Sequence, residues 1–171
     1  MEIAKVADII HQIADGIVDD CQQTLVNNAD AALLAVHEQL MSGIDADGQY
    51  LSPNYDNDPY FDEEGYWKGR AKDYKAWKYA ITPPSSGVLI GLPPRPDNVP
   101  NLFIDGTFHG SIVTQPIDGG IRIFTRREKS KEIVDKYGDQ ILGFSVSAIE
   151  YYNAEIMMPS IERFFAKCGY R

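Results

Sequence analysis

The chain has little cysteine, little histidine and no long apolar run. Its two cysteines, Cys21 and Cys168, stand near opposite ends of 171 residues with no CxxC spacing. That excludes a disulfide scaffold and a thiolate zinc site, and both read as inert buried thiols. No stretch approaches the roughly 18 apolar residues that cross a bilayer. The opening MEIAKVADII also lacks the basic flank and apolar core of a secretory leader, so the expected location is the cytoplasm, with no membrane partner. Basic residues are scarce as well. The 16 Lys and Arg face 25 Asp and Glu for a net charge of -9, a field that repels nucleic acid and anionic membrane. GxxxxGK[ST], GxGxxG, HExxH and GxSxG are all missing, and no cofactor or metal is expected.

Apolar residues, at 44%, and charged ones, at 24%, give the composition of a chain that folds. The length suits one domain spanning 1–171, with extended loops at about 44–65 and 82–100. From Ile3, apolar positions at Ile3, Val6, Ile10, Ile13 and Ile17 share a helical face. The pattern resumes at Ala32, Leu33, Val36 and Leu40, so one bent helix or two helices meeting near Asn27 and Asn28 are expected. Gly43 and the Asp47-Gly48 pair end it. His37 lies beside the Val36 and Leu40 face as a partly covered surface histidine.

The following stretch is dense in Asp, Asn, Pro and Tyr. Gly48 is only fourth from Asp45 and the twelfth position carries no acid, so the calcium-loop pattern is not met. We read a surface loop held by Tyr50, Tyr55, Tyr60 and Phe61, whose rings supply the contact area that aspartates cannot. Trp67, Ala71, Tyr74, Trp77 and Ile81 then stand at steps of four, three, three and four, predicting a helix over Trp67 to Ile81 with its lysines mainly on the outer faces. Together with the loop rings, Trp67, Tyr74 and Trp77 are candidate partner-interface residues, since Tyr and Trp are enriched at binding hot spots. The Pro-rich segment to Pro100 reads as a projecting arm that grips a neighbouring subunit.

Beyond it, NLFI, TFHGSIVT and GGIRIFTR read as strands separated by Asp105-Gly106 and Asp118-Gly119-Gly120. For 105–112 strand and helix stay open, because Phe108 and Ile112 are also four apart. Thr125 to Glu128 and Ser147 to Glu150 match the capping box, predicting one helix from about Glu128 to Lys136 and a second that Pro159 bends or restarts. The fold class is α+β: a long N-terminal helix or helix pair, a small antiparallel sheet and C-terminal helices.

His109 and Ser111 sit two apart in FHGSI, yet a serine nucleophile needs a base in reach and a sharply exposing turn. We expect Leu102, Phe103, Phe108 and Ile112 to fill a core, with His109 and Ser111 as bystanders. Two rivals to a non-enzymatic role remain. One is a small hydrolase using His109 with Asp62, Glu63 and Glu64; the other is a nucleic-acid module using the basic and aromatic Trp67 to Ile81 helix.

The segments HEQLMSGIDADGQYLSPNYDNDPYF, DYKAWKYAITP, PNLFIDGTFHGSI and KYGDQILGF, with a C-terminal helix bearing Pro159, follow one another in an order that resembles a group of proteins from phages and prophages of gut Bacteroidetes. The shared elements are EQL, then G.D..G..L.P.Y, then PNL...G.F..SI, then KYG..I.GL, over roughly Val36 to Ile161. More distantly, Leu102, Gly106, Phe108, Ser111 and Ile112 are similar to an element of the tail-completion and minor tail proteins of long-tailed phages. The resemblance implies a small α+β protein of virion morphogenesis at the head-tail junction or tail. Its partners would be other virion proteins and a homo-oligomer of itself, in the host cytoplasm during assembly and then in the virion.

Overall fold

A computed structural model describes residues 3–83 and 90–170. Two helices open the chain, α1 (Ile3–Asn27) and α2 (Ala29–Met41). They meet at Asn28, whose side-chain amide donates to the Thr24 carbonyl at 2.8 Å. α2 ends where Gly43 turns the chain at φ 70°. An irregular stretch with one 3-10 turn, Pro59–Phe61, leads to α3 (Ala71–Ile81). A hairpin of β1 (Ile112–Ile117) and β2 (Gly120–Thr125) follows, antiparallel from Ile112 opposite Thr125 to Ile117 opposite Gly120. Asp118-Gly119 makes its two-residue turn, with Gly119 at φ 82°, the left-handed conformation such turns need. α4 (Lys129–Tyr137), α5 (Val146–Tyr152) and α6 (Met158–Lys167) complete an α+β fold with a small antiparallel sheet.

Val36 and Leu40 of α2 carry the main core, packed with Leu51, Val99, Phe108, Ile112 and Ile141. Gln39, fully buried between them, ties α2 to the segment before α5. Its amide donates to the Gly143 carbonyl at 3.0 Å and its oxygen accepts from the Ser145 amide at 2.7 Å. Outside this core, α6 runs antiparallel along α1: Thr24 bonds Ser160 at 2.8 Å, the ring of Phe164 lies over Gly16, and Ile9 touches Gly169.

Several expectations change. The face of α1 read from the apolar spacing meets the body only in part, for Ile13 and Ile17 are half-buried and Ile9 beside them is buried, while Ile3, Val6 and Ile10 stay exposed. NLFI forms no strand, and 105–111 is a turn at Gly106 (φ 81°) followed by a 3-10 turn, His109–Ser111. Of the two readings left open there, the helix is found only as this single 3-10 turn, and the strand begins at Ile112. Trp67 precedes α3 instead of belonging to it. Neither capping box forms. Thr125 stays paired to Ile112 in the hairpin, and Ser145 caps α5 two residues ahead of Ser147. Of the Pro-rich arm, 84–89 lie outside the described residues. Ile90 packs on Ala35 and Ala148, and Val99 enters the core, so the described remainder is folded in and does not project. Cys21 and Cys168 are free and half-buried.

At Pro159 the helix restarts without a break. One π turn, Asn153–Met157, joins α5 to α6 and puts the proline in the first turn of α6. A proline removes one amide and crowds the carbonyl four residues back, and the wider turn relieves both.

Candidate functional site

Helix α3 presents Tyr74 at the centre of an aromatic cluster. Rings of Tyr55, Trp67, Phe61 and Trp77 stand 5.2, 5.1, 5.3 and 5.3 Å from it, and Tyr60 lies at 6.3 Å. Most meet edge to face, as the positive rim and negative face of aromatic rings favour. The loop is held in place by aspartates. Asp45 accepts from the amides of Asp47 and Gln49, both at 2.9 Å. Asp58 accepts from the Tyr60 amide at 3.0 Å, opening the 3-10 turn that aims Tyr60 and Phe61 at α3.

These rings wall a cleft of about 460 Å³ whose far side is α4, through Ile133, Lys136 and Tyr137. At its floor Lys136 donates to both carboxylate oxygens of Asp58, at 2.7 and 2.6 Å. Lys78, also lining the cleft, is 2% exposed and donates to the carbonyl of Phe103. A second cleft of about 630 Å³ adjoins it, sharing Leu102, Ile104 and Ile133. Leu102 stands on the wall between them at φ 56°, the one non-glycine residue with positive φ among those described. Such strain persists only where the surroundings impose it. Asn101 imposes it here: fully buried, it accepts from the Phe103 amide at 3.1 Å and donates to Thr82 at 3.2 Å.

Six of the seven candidate interface residues, Tyr55, Tyr60, Phe61, Trp67, Tyr74 and Trp77, therefore converge on one cleft. Tyr50 does not. It pairs with Ile44 and lines a smaller recess, of about 290 Å³, with Leu92 and Pro93. Sequence reasoning placed Lys78 among the solvated lysines, but it falls four residues after Tyr74 and three before Ile81, on the packed face. That spacing was the available signal. Asp58 was signalled only by the proline after it, and Asn101 by nothing local.

Burial keeps the cleft phenols neutral: it raises Tyr55 and Tyr137 above the ordinary tyrosine range and pushes Tyr74 up to about 12, with Tyr60 and Asp58 adding to the effect. The same burial, helped by Arg95, pulls Lys78 down to about 8. Between pH 8 and 10 the unfolded lysine holds a proton that the folded one releases, so stability rises with pH. Relative to Lys78→Met, the wild type should gain about 2 kcal/mol over that interval. Urea midpoints for both chains across the interval measure it, and parallel curves would show Lys78 to be unperturbed.

His109 and Ser111 are not bystanders. His109 is 7% exposed, its Nε2–H donates to the Asn101 carbonyl at 2.9 Å, and the ring of His37 lies 5.4 Å away. His37 is half-buried and donates in turn to the His109 carbonyl at 3.0 Å. Ser111 Oγ donates to the Phe108 carbonyl at 2.6 Å, so it accepts from Ser130 at 2.8 Å. Neither imidazole is placed to take a proton from Ser111. Asp62, Glu63 and Glu64 are exposed, and the groups acting on His109 are Asn101, His37 and Lys78, none a carboxylate.

The basic charges around α3 are largely matched locally. Lys68 pairs with Glu64, Arg70 with Asp73 at 3.1 Å and Lys75 with Asp56 at 2.7 Å, and Lys78 is buried. Among Lys68, Arg70, Lys72, Lys75 and Lys78, Lys72 alone has neither an ion pair nor burial among the described residues.

The elements that carry the phage resemblance do structural work. Leu40, Leu51, Phe108, Ile112 and Ile141 fill the core, Gln39 and Asn101 are bonding hubs, and Gly43, Gly48, Gly106 and Gly138 take positive φ. Among the described residues no helix is long and apolar enough to cross a membrane, and no cluster of three or more metal-ligating side chains occurs. Compared with protein-family models, curated proteins and solved structures, the chain matches none.

Proposed function

We propose that this protein is a non-enzymatic phage or prophage virion morphogenesis protein, acting at the head-tail junction or tail through subunit contacts. The aromatic cleft is the surface that receives its partner. One observation carries the reading: aromatic residues scattered from Tyr55 to Trp77 gather into a single cleft with a polar floor. Rigid rings offer large contact area at small entropic cost, and the Asp58–Lys136 pair and Lys78 give a seated apolar segment something polar to be registered against. The phage resemblance supplies the context, and its partners are the neighbouring virion proteins.

Quantitative mass spectrometry of particles from a lysogen carrying this gene should find the chain in the virion. With the chromosomal copy deleted, a Trp67→Ala, Trp77→Ala double variant supplied in trans should enter particles on the order of 10-fold less often. Tyr60→Glu, at a position 45% exposed, should give the same deficit while leaving Tyr55, Phe61, Trp67 and Trp77 around Tyr74. A chain missing from particles would overturn the proposal. So would variants of native helix content that are incorporated as well as the wild type.

A further inference from the structure

The hairpin leaves one sheet edge open. Antiparallel strands bond to each other at every second residue, and the residues between turn their amides and carbonyls outward. The bond from the Arg126 amide to the Ser111 carbonyl, at 3.0 Å, fixes which are which. Carried through the register, that alternation has Phe124, Arg122 and Gly120 bonding across to β1, while Ile121, Ile123 and Thr125 present N–H and C=O to the far side of β2. None of these outward groups finds a backbone partner among the described residues, and none of the three residues is buried.

The outer edge of β1 is guarded: Pro116 has no N–H, and the Ile112 amide already donates to the His109 carbonyl. β2 carries neither a proline nor a bulge. Its side chains state what fits. Ile121, Ile123 and Thr125 share one face, where Ile123 packs against the main core. Arg122, Phe124 and Arg126 follow one another on the other face, with the Arg122 guanidinium 5.7 Å from the centre of the Phe124 ring. Both arginines are exposed and have no ion pair among the described residues. From Gly120 to Arg127 there is no acidic residue, in a chain that has 25.

We propose that the β2 edge takes an extended segment of a partner protein as a third strand, its acidic side chains four residues apart and set against Arg122 and Arg126, with apolar side chains between them. The outward amides and carbonyls bond the backbone of any strand, and the arginines choose among strands, because residues directly opposite in a sheet share a face and opposite charges there attract. A second copy offering the same edge is the poorer occupant. Two β2 strands side by side would gather the arginines of both copies on one face with no carboxylate among them. Nucleic acid would match the arginines and leave the outward carbonyls unmatched. The surface is separate from the aromatic cleft, which no residue of β2 lines.

The probe is a capped peptide, Val-Glu-Val-Thr-Val-Glu-Val, which reads the same in either direction and spans the edge from Ile121 to Arg127. Added at about 1 mM to the full chain, it should slow hydrogen exchange of the Ile121, Ile123 and Thr125 amides at least about 10-fold, with exchange in α1 unchanged. A peptide with lysine in place of glutamate should bind at least about 10-fold more weakly. Arg122→Glu with Arg126→Glu, both at exposed positions, should reverse that preference at unchanged helix content. No protection of the three amides, or equal binding of the two peptides, would overturn the proposal. So would protection that rises with protein concentration in the absence of peptide, which would make a second copy the occupant, or binding of a short DNA duplex at Arg122 and Arg126 where the peptide does not bind.

Discussion

Replacing Gly43 with alanine should lower the free energy of unfolding by about 2–5 kcal/mol. Two costs add. Gly43 sits at φ 70°, where an L side chain is strained by about 1–2 kcal/mol. A Cβ there would also stand 2.5 Å from Val99 Cγ1 and 2.9 Å from the Pro100 carbonyl. Val99 is a core residue and the carbonyl is backbone, so neither yields cheaply. The position also anchors the Tyr-rich loop, since the Leu51 amide donates to the Gly43 carbonyl at 2.8 Å. Gly48 separates the two costs. Its φ is 74° but nothing lies within 4 Å of its added Cβ, so Gly48→Ala should cost only the strain, about 1–2 kcal/mol. Paired urea titrations decide the matter, and equal losses at the two glycines would show that the contact with Val99 and Pro100 carries no weight.

Acidification from pH 7 to pH 4 should remove about 3 kcal/mol of stability through His109. Burial pulls this imidazole down to about 4, the bond to the Asn101 carbonyl opposes, and the charges of His37 and Lys78 add to the lowering. The folded state therefore prefers the neutral ring. Between the unfolded value near 6.5 and pH 4 the unfolded chain binds a proton that the folded chain refuses. The contribution is complete above pH 6.5 and is lost as pH falls through that interval. His37, also lowered by burial, acts in the same direction. The carboxyls of Asp56 and Asp105 are held below their ordinary range, so they titrate beneath this window. His109→Gln retains an amide donor for Asn101 and cannot titrate. Its stability should be flatter between pH 6.5 and 4.5, by about 1.4 kcal/mol per unit. Coincident profiles would sink the assignment. The same burial means that alanine at His109 and Ser111 is not silent, because it removes bonds to Asn101, Phe108 and Ser130 that water cannot replace.

What could be read in advance followed from local rules. The break near Asn28, the stop at Gly43, the Asp118-Gly119 hairpin turn and the helix ending near Lys136 each depend on a few neighbouring residues, and each is found. Misreadings arose where local rules offered several answers. Ser147 has the glutamate three residues on that the capping pattern asks for, where Ser145 has only Ala148, but only Ser145 has its amide bonded to Gln39, 106 residues away. In NLFI the residues favour a strand, yet Asn101 bonds to Thr82 and His109 and holds Leu102 left-handed, which no strand permits.

The cleft shows the same division. Its rings were identifiable as interface candidates by type, since Tyr and Trp combine rigid apolar area with a polar edge. That six of them share one cleft depends on α4 closing the far side and on Lys136 reaching Asp58 across 78 residues. Lys78 was misjudged because charge usually means solvent. Only a carbonyl supplied by Phe103, 25 residues on, makes its burial tolerable.

Sequence alone determined the helices, the hairpin and the apolar spacing of α1, because periodicity and turn chemistry act over a few residues. Tertiary structure decided which face of α1 is covered, which polar groups are buried and where the rings converge. Those outcomes rest on partners brought together from distant parts of the chain, and a buried polar group is stable only where such a partner already stands.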